Sequence, residues 1–157
     1  MRISVDLDNT LICNDHRVPA ERMIIPVLQR SFFPEPLRLG TKTLFRTLQQ
    51  QGHELGIYTT SLRSSVAIKW WLRLYGISVS FVINQSRHDT MTKEHPERNF
   101  PSKYPPAFGI DLHIDDSEGV WEEGQRYGFH VICISPQDTQ WVQTVLLALV
   151  HLPQSKQ

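Results

Sequence analysis

The chain has 157 residues, with 16 basic and 16 acidic side chains and a formal net charge of zero. That length is about one domain, spanning 1–157, and large enough to bury a core without staples. The charge balance argues against a basic surface built for nucleic acid, and 40% apolar with 20% charged residues reads as globular, not disordered.

The two cysteines, Cys13 and Cys133, are far apart and read neither as a disulfide framework nor as a zinc site. They fit a reducing compartment. Two aspartates within the first eight residues leave no room for the apolar region of a signal peptide. The longest apolar stretch, Val145 to Val150, is too short to span a bilayer. The expectation is a cytoplasmic protein with no membrane partner.

Taken in chain order, Arg2 to Leu7 is a β-branched run ending in acids and predicts a strand. Pro19 to Arg30 predicts a helix with Met23, Val27 and Leu28 on one face, broken by the Pro34-Glu35-Pro36 stretch. Thr41 to Gln51 predicts a helix with Thr41 as N-cap, Leu44, Phe45 and Leu48 as its stripe and Gly52 as its stop. A strand follows over His53 to Thr59. Leu62 to Tyr75 predicts a helix with Val66, Trp70 and Leu74 facing the core, so that Trp71 is the more exposed tryptophan, and it closes on Gly76.

Ile77 to Ile83 predicts a strand, and the polar stretch from Asn84 to Pro106 predicts a long loop. Ile110 to Ile114 and Phe129 to Ile134 predict strands. Glu118 to Tyr127 and Thr139 to His151 predict helices. This rhythm implies an α/β fold: a three-layer, doubly wound, Rossmann-like parallel sheet of about five strands.

In such sheets ligands sit beyond the carboxyl ends of the strands. The first strand delivers Asp6-Leu7-Asp8-Asn9-Thr10, the second Thr59-Thr60-Ser61 and the fourth Asp115-Asp116-Ser117. Lys103 lies in the loop feeding the fourth strand, with Lys93 a nearby rival. Packed carboxylates repel one another and raise each other's pKa. A divalent cation relieves this, and magnesium favours one or two carboxylates, water and substrate phosphate. Hydroxyls and an ammonium suit the remaining phosphate oxygens. The pattern points to phosphoryl transfer.

The same residues resemble the haloacid dehalogenase (HAD) superfamily, whose four motifs occur here in the family's order. Asp6-Leu7-Asp8-Asn9-Thr10 matches the first motif and Gly56-Ile57-Tyr58-Thr59 the second. Lys103 matches the third and Asp115-Asp116 the fourth. The resemblance implies a magnesium-dependent phosphatase in which Asp6 is the nucleophile, forming an aspartyl phosphate. Asp8 would be the general acid and base, and its main-chain carbonyl would touch the metal. Thr59 would bind the phosphoryl oxygens, with Thr60 and Ser61 its competitors, and Lys103 would neutralise charge. The implied magnesium ligands are Asp6, Asp8, Asp115 and Asp116, the last directly or through water. An acid at position 8 favours phosphate esters over halides.

The family often inserts a cap domain after the first or second motif. Here the gaps leave only a flap and extra helix over about 14–40 and the long loop over about 84–106. No large cap is therefore expected, and the resemblance then implies a capless type of HAD phosphatase. An open site suits a bulky phosphorylated substrate: a protein, a nucleic-acid end, or a small molecule if an oligomer partner lends the lid.

Plainer readings stand beside these. His88 and His95 read as solvated loop histidines and His16 as a candidate pocket residue. Cys13 is unsuited to catalysis near carboxylates. Phe32 and Phe33 read as a flap tip packing on the core or on a partner. A phospho-receiver signalling domain shares the acids, but its motifs run in a different order. A non-catalytic binding domain of the same fold is weakened by the retention of both Asp6 and Asp8.

Overall fold

The computed structural model describes residues 1–12, 15, 17–24, 35–94 and 99–152. Five parallel strands form one sheet: β1 (Arg2–Val5), β2 (Glu54–Tyr58), β3 (Phe81–Ile83), β4 (Leu112–Asp115) and β5 (His130–Cys133). Their order across the sheet is β3-β2-β1-β4-β5. Five α-helices are described: α1 (Thr41–Gln50), α2 (Ser65–Leu74), α3 (Gln85–Lys93), α4 (Glu118–Tyr127) and α5 (Trp141–His151). A 3₁₀ turn over Pro105–Phe108 precedes β4. The fold is the expected α/β, Rossmann-like sheet, and among the described residues no cap domain stands between the motifs. Among them, too, no helix is long and apolar enough to cross a membrane.

Strands β1 to β4 are short runs buried over nearly all their length, as a helix-covered parallel sheet requires, whereas the edge strand β5 is only partly buried. Ile3 and Val5 of β1 pair with Leu55 and Ile57 of β2 on one side and with Leu112 and Ile114 of β4 on the other. All are buried. Chain order reverses between β2–β1 and β1–β4, so β1 borders the switch point, where such sheets bind ligands. The carboxyl ends of β1, β2 and β4 therefore lie side by side.

The helices correct several expectations. The apolar face of α2 is Ile68, Trp71 and Leu72, whereas Val66 and Trp70 are exposed. Trp71 stacks edge-on against Tyr75 at 5.7 Å. The helix starts at Ser65, capped by the Ser64 hydroxyl, three residues later than Leu62. Two apolar phases coexist on it, and the sheet-facing one wins. For α1 the N-cap is Gly40, at φ 95, and the Thr41 hydroxyl instead donates to the Arg38 carbonyl at 2.7 Å.

Residues expected as a loop contain α3, capped by the Asn84 side chain accepting from Arg87 N. His88 on α3 is buried, not solvated. The strand expected from Ile77 is paired only over Phe81–Ile83. The described part of the helix expected over Pro19 to Arg30 is not helical: Ala20 pairs antiparallel with Arg38. The rest of that helix, Cys13, His16, Phe32, Phe33 and His95 lie outside the described residues.

Two glycines mark close approaches. A Cβ on Gly56 of β2 would enter the ring of Phe81. One on Gly124 of α4 would meet the Phe129 carbonyl oxygen at 2.8 Å and Val131 at 2.9 Å, where the helix lies down on β5. Overpacking a close-packed sheet of this kind costs about 1–3 kcal/mol. Gly56→Ala is expected to lower unfolding free energy by ~1–3 kcal/mol, read as a lower urea midpoint with unchanged slope.

Candidate active site

Each acid is placed by a simple local device. The backbone pairing of β1 with β4 continues one step past the strand, Asp6 N donating to Ile114 O at 2.8 Å. Asp6 thus leaves the sheet beside β4. The chain then makes a tight turn, with Leu11 N and Ile12 N both donating to Leu7 O. Asn9 sits at φ 64 in that turn, a left-handed conformation that asparagine tolerates well. The turn separates Asp6, which points into the site, from Asp8, which stands at its edge.

Asp6, Asp115 and Lys103 meet directly. The Lys103 ammonium donates to Asp6 Oδ1 at 2.5 Å and to Asp115 Oδ2 at 2.6 Å. All three side chains are at least 90% buried. Asp115 also accepts from Ser117 N through Oδ1 at 2.9 Å, and Ser117 in turn caps α4. Asp116 accepts from the Thr10 hydroxyl at 2.9 Å, which ties the first acidic run to the last. Carboxylate oxygens of Asp6, Asp115 and Asp116 lie within 4.8 Å of one another, close enough to share a metal ion. The donor set is all oxygen, the set that hard divalent cations such as magnesium prefer.

The electrostatics follow from burial and from one shared cation. Burial pushes the Asp6 carboxyl up to about 7, against the pull of Lys103 and with help from the nearby Asp115. Burial also acts to raise Asp115, but the hydrogen bond from His113 and the charge of Lys103 hold it well below the ordinary carboxylate range. For Lys103 burial works to neutralise the ammonium; Asp6 and Asp115 outweigh it and raise its pKa. Burial raises Asp116 as well, and the charge of Asp115 adds to this against the Thr10 hydrogen bond. The lysine is thus matched mainly to Asp115, and Asp6 is left as an acid that ionises near neutrality.

The remaining expected residues take separate places. Thr59 is buried at the end of β2, where its hydroxyl oxygen accepts from Ser61 N at 3.1 Å. Thr60 beside it is exposed. Lys93 is exposed near the C-terminal end of α3, while Lys103 is in the acidic cluster. Asp8 is 46% exposed and pairs with Arg63, whose Nη1 lies 3.0 and 3.1 Å from its two oxygens. The other Arg63 nitrogen reaches Glu35 at 2.8 Å. Neither Arg63 nor Glu35 belongs to a motif that the sequence singles out. The available signal was an arginine just after Thr59-Thr60-Ser61, at the carboxyl end of a strand.

A second group missed in sequence holds the lysine loop. The Tyr58 hydroxyl accepts from Tyr104 N at 2.8 Å and lies 2.6 Å from His88 Nδ1. Tyr104 follows Lys103 directly, so α3 and β2 together anchor the loop that delivers the ammonium.

No protein-family model matches the chain, and no curated protein matches it. Among solved structures it is similar to that of a predicted HAD-like family hydrolase from Porphyromonas gingivalis. The two share 11% sequence identity, with 97% of this chain and 98% of that chain covered and a TM-score of 0.51. The fold is HAD-like. On that HAD-like frame the acids at the ends of β1 and β4 share one edge with the lysine between them.

Removing a buried charge from such a cluster leaves its partners uncompensated, which costs about 3–5 kcal/mol. Lys103→Met is expected to lose ~3 kcal/mol or more at pH 7.5, and less at pH 5.5, where Asp6 takes up a proton instead. Urea unfolding at the two pH values measures the difference.

Proposed function

We propose that this chain is a magnesium-dependent phosphatase that hydrolyses phosphate monoesters through an aspartyl phosphate on Asp6. The observation that carries this reading is the Lys103 ammonium held between Asp6 and Asp115, beside Asp116, where the ends of β1 and β4 meet. The hydrolase named for the similar structure agrees with it.

Asp6, Asp115 and Asp116 would hold the cation, with the main-chain carbonyl of Asp8 as a further ligand. When bound, magnesium supplies positive charge to Asp6 and to the phosphoryl oxygens, favouring the ionised carboxylate and offsetting charge in the transition state. The residues of the chain do the rest. An Asp6 carboxylate oxygen attacks phosphorus, and the bond from phosphorus to the leaving oxygen breaks. Asp8, entering this step protonated and released from its ion pair with Arg63, gives that oxygen its proton. Asp8 then takes a proton from water, the water oxygen attacks phosphorus, and Asp6 is released with inorganic phosphate. Lys103 and the Thr59 hydroxyl hold phosphoryl oxygens. Arg63, bonded to both Asp8 oxygens, restrains that carboxylate at the mouth of the site. With no cap domain among the described residues, the site suits a bulky phosphorylated substrate.

Wild-type protein with magnesium is expected to hydrolyse p-nitrophenyl phosphate, and Asp6→Asn to abolish turnover. Absence of both magnesium-dependent turnover and beryllium fluoride binding contradicts the reading. Asp8→Asn is expected to slow turnover by about 10²-fold or more while magnesium binding changes far less.

The pH dependence has a definite sign. The raised pKa of Asp6 means that the folded state holds a proton there between about pH 4 and 7 that the unfolded chain does not. Its contribution to stability is present below its unfolded pKa and is lost as pH rises through about 7. Cation binding must displace that proton. Stabilisation of the fold by magnesium, read as the rise in melting temperature at a set concentration, is therefore expected to be small at pH 5.5 and larger at pH 8.

A further inference from the structure

One buried histidine has no part in the steps above, yet it touches the acidic cluster. His113, on β4, is fully buried. Its Nε2 lies 2.8 Å from Asp115 Oδ2, and its Nδ1 lies 2.8 Å from the Ser4 hydroxyl of β1. Strand pairing sets this contact, because Ser4 and His113 are partners in the β1–β4 register. Tyr58 on β2 packs against the ring at 5.5 Å between centroids.

The proton positions follow from the partners. A carboxylate oxygen only accepts, so the nitrogen facing it carries the hydrogen. In a neutral imidazole the other nitrogen is then the acceptor, and the Ser4 hydroxyl is its donor. With the ring neutral, the line runs from Ser4 O–H to His113 Nδ1, then from His113 Nε2–H to Asp115 Oδ2.

The consequence is a count of lone pairs on Asp115. An ionised carboxylate offers about four acceptor directions. Oδ2 receives Lys103 and His113. Oδ1 receives Ser117 N. Oδ2 is filled, and one direction remains on Oδ1.

We propose that His113, held by Ser4 as its Nε2–H tautomer, is a positioning residue that fixes Asp115 so that Oδ1 alone is offered to a divalent cation. This rests on the phosphatase reading for the cation, and adds to it the Ser4–His113 pair as the selector of the liganding oxygen. Partners of this kind, one shell out from the ligands, typically change metal affinity by about 10–100-fold when removed.

The test is magnesium affinity, measured by calorimetry on wild type, His113→Leu, His113→Gln and Ser4→Ala, with a thermal melt on each to establish folding. His113→Leu is expected to weaken magnesium binding by about 10-fold or more. Glutamine keeps an N–H close to the place of Nε2, and His113→Gln is expected to restore most of the affinity. Ser4→Ala keeps the ring but frees its tautomer; it is expected to fall between wild type and His113→Leu, and it decides the matter alone if His113→Leu does not fold. Nitrogen NMR of the wild type is expected to show the neutral Nε2–H tautomer.

Wild-type affinity in a folded His113→Leu, or in Ser4→Ala, overturns the inference. So does equal loss in His113→Leu and His113→Gln, or an Nδ1–H tautomer. Each of these outcomes leaves the phosphatase reading standing. A wild type that binds no magnesium overturns that reading and this inference together.

Discussion

The candidate site depends on a single buried ammonium. Lys103 stands between Asp6 and Asp115 with almost no access to water. Without it the two facing carboxylates would repel more strongly in a low-dielectric setting, and Asp6 would keep its proton to still higher pH. The arrangement is possible because β1 and β4 are neighbours in the sheet and end at the same level. The pairing of Asp6 N with Ile114 O brings the two acids to one edge, and the loop before the 3₁₀ turn brings the lysine.

Much of the surrounding structure serves to hold these three groups. Thr10 binds Asp116 across the edge, and Ser117 both caps α4 and orients Asp115. The Tyr58 hydroxyl secures Tyr104, next to Lys103, and contacts His88 of α3. Ser4 and His113 extend the network beneath the acids. Buried polar groups are costly unless satisfied, and these are satisfied mostly by one another. One lysine supplies a single positive charge against the three clustered acids, so the site is suited to a divalent cation.

The strand-and-helix rhythm was legible because each strand is a short apolar run closed by polar residues, as in Gly56-Ile57-Tyr58-Thr59. The acids were legible because their spacing places them at strand ends, where a parallel sheet binds ligands. The helix α3 was not, because Gln85–Lys93 is polar with His88 its one buried residue, so no apolar stripe announces it. The two tryptophans of α2 are ambiguous in sequence because Val66 and Trp70 extend the stripe of the buried Leu74 as regularly as Ile68 and Trp71 lead to Tyr75. Only the sheet decides which phase is covered. Arg63, Glu35 and His113 were invisible for another reason: their roles arise from partners 28 to 109 residues away or from strand register, which local pattern does not encode.

The central claim is that Asp6 is the group on which the phosphoryl unit is transferred. The most direct measurement is acid quenching during magnesium-dependent turnover of an aryl phosphate, followed by peptide mass spectrometry. The account predicts a phosphoryl group on Asp6, absent when the ester is omitted. Turnover that proceeds with no covalent phosphoryl on the chain, or with one on a different residue, would contradict it.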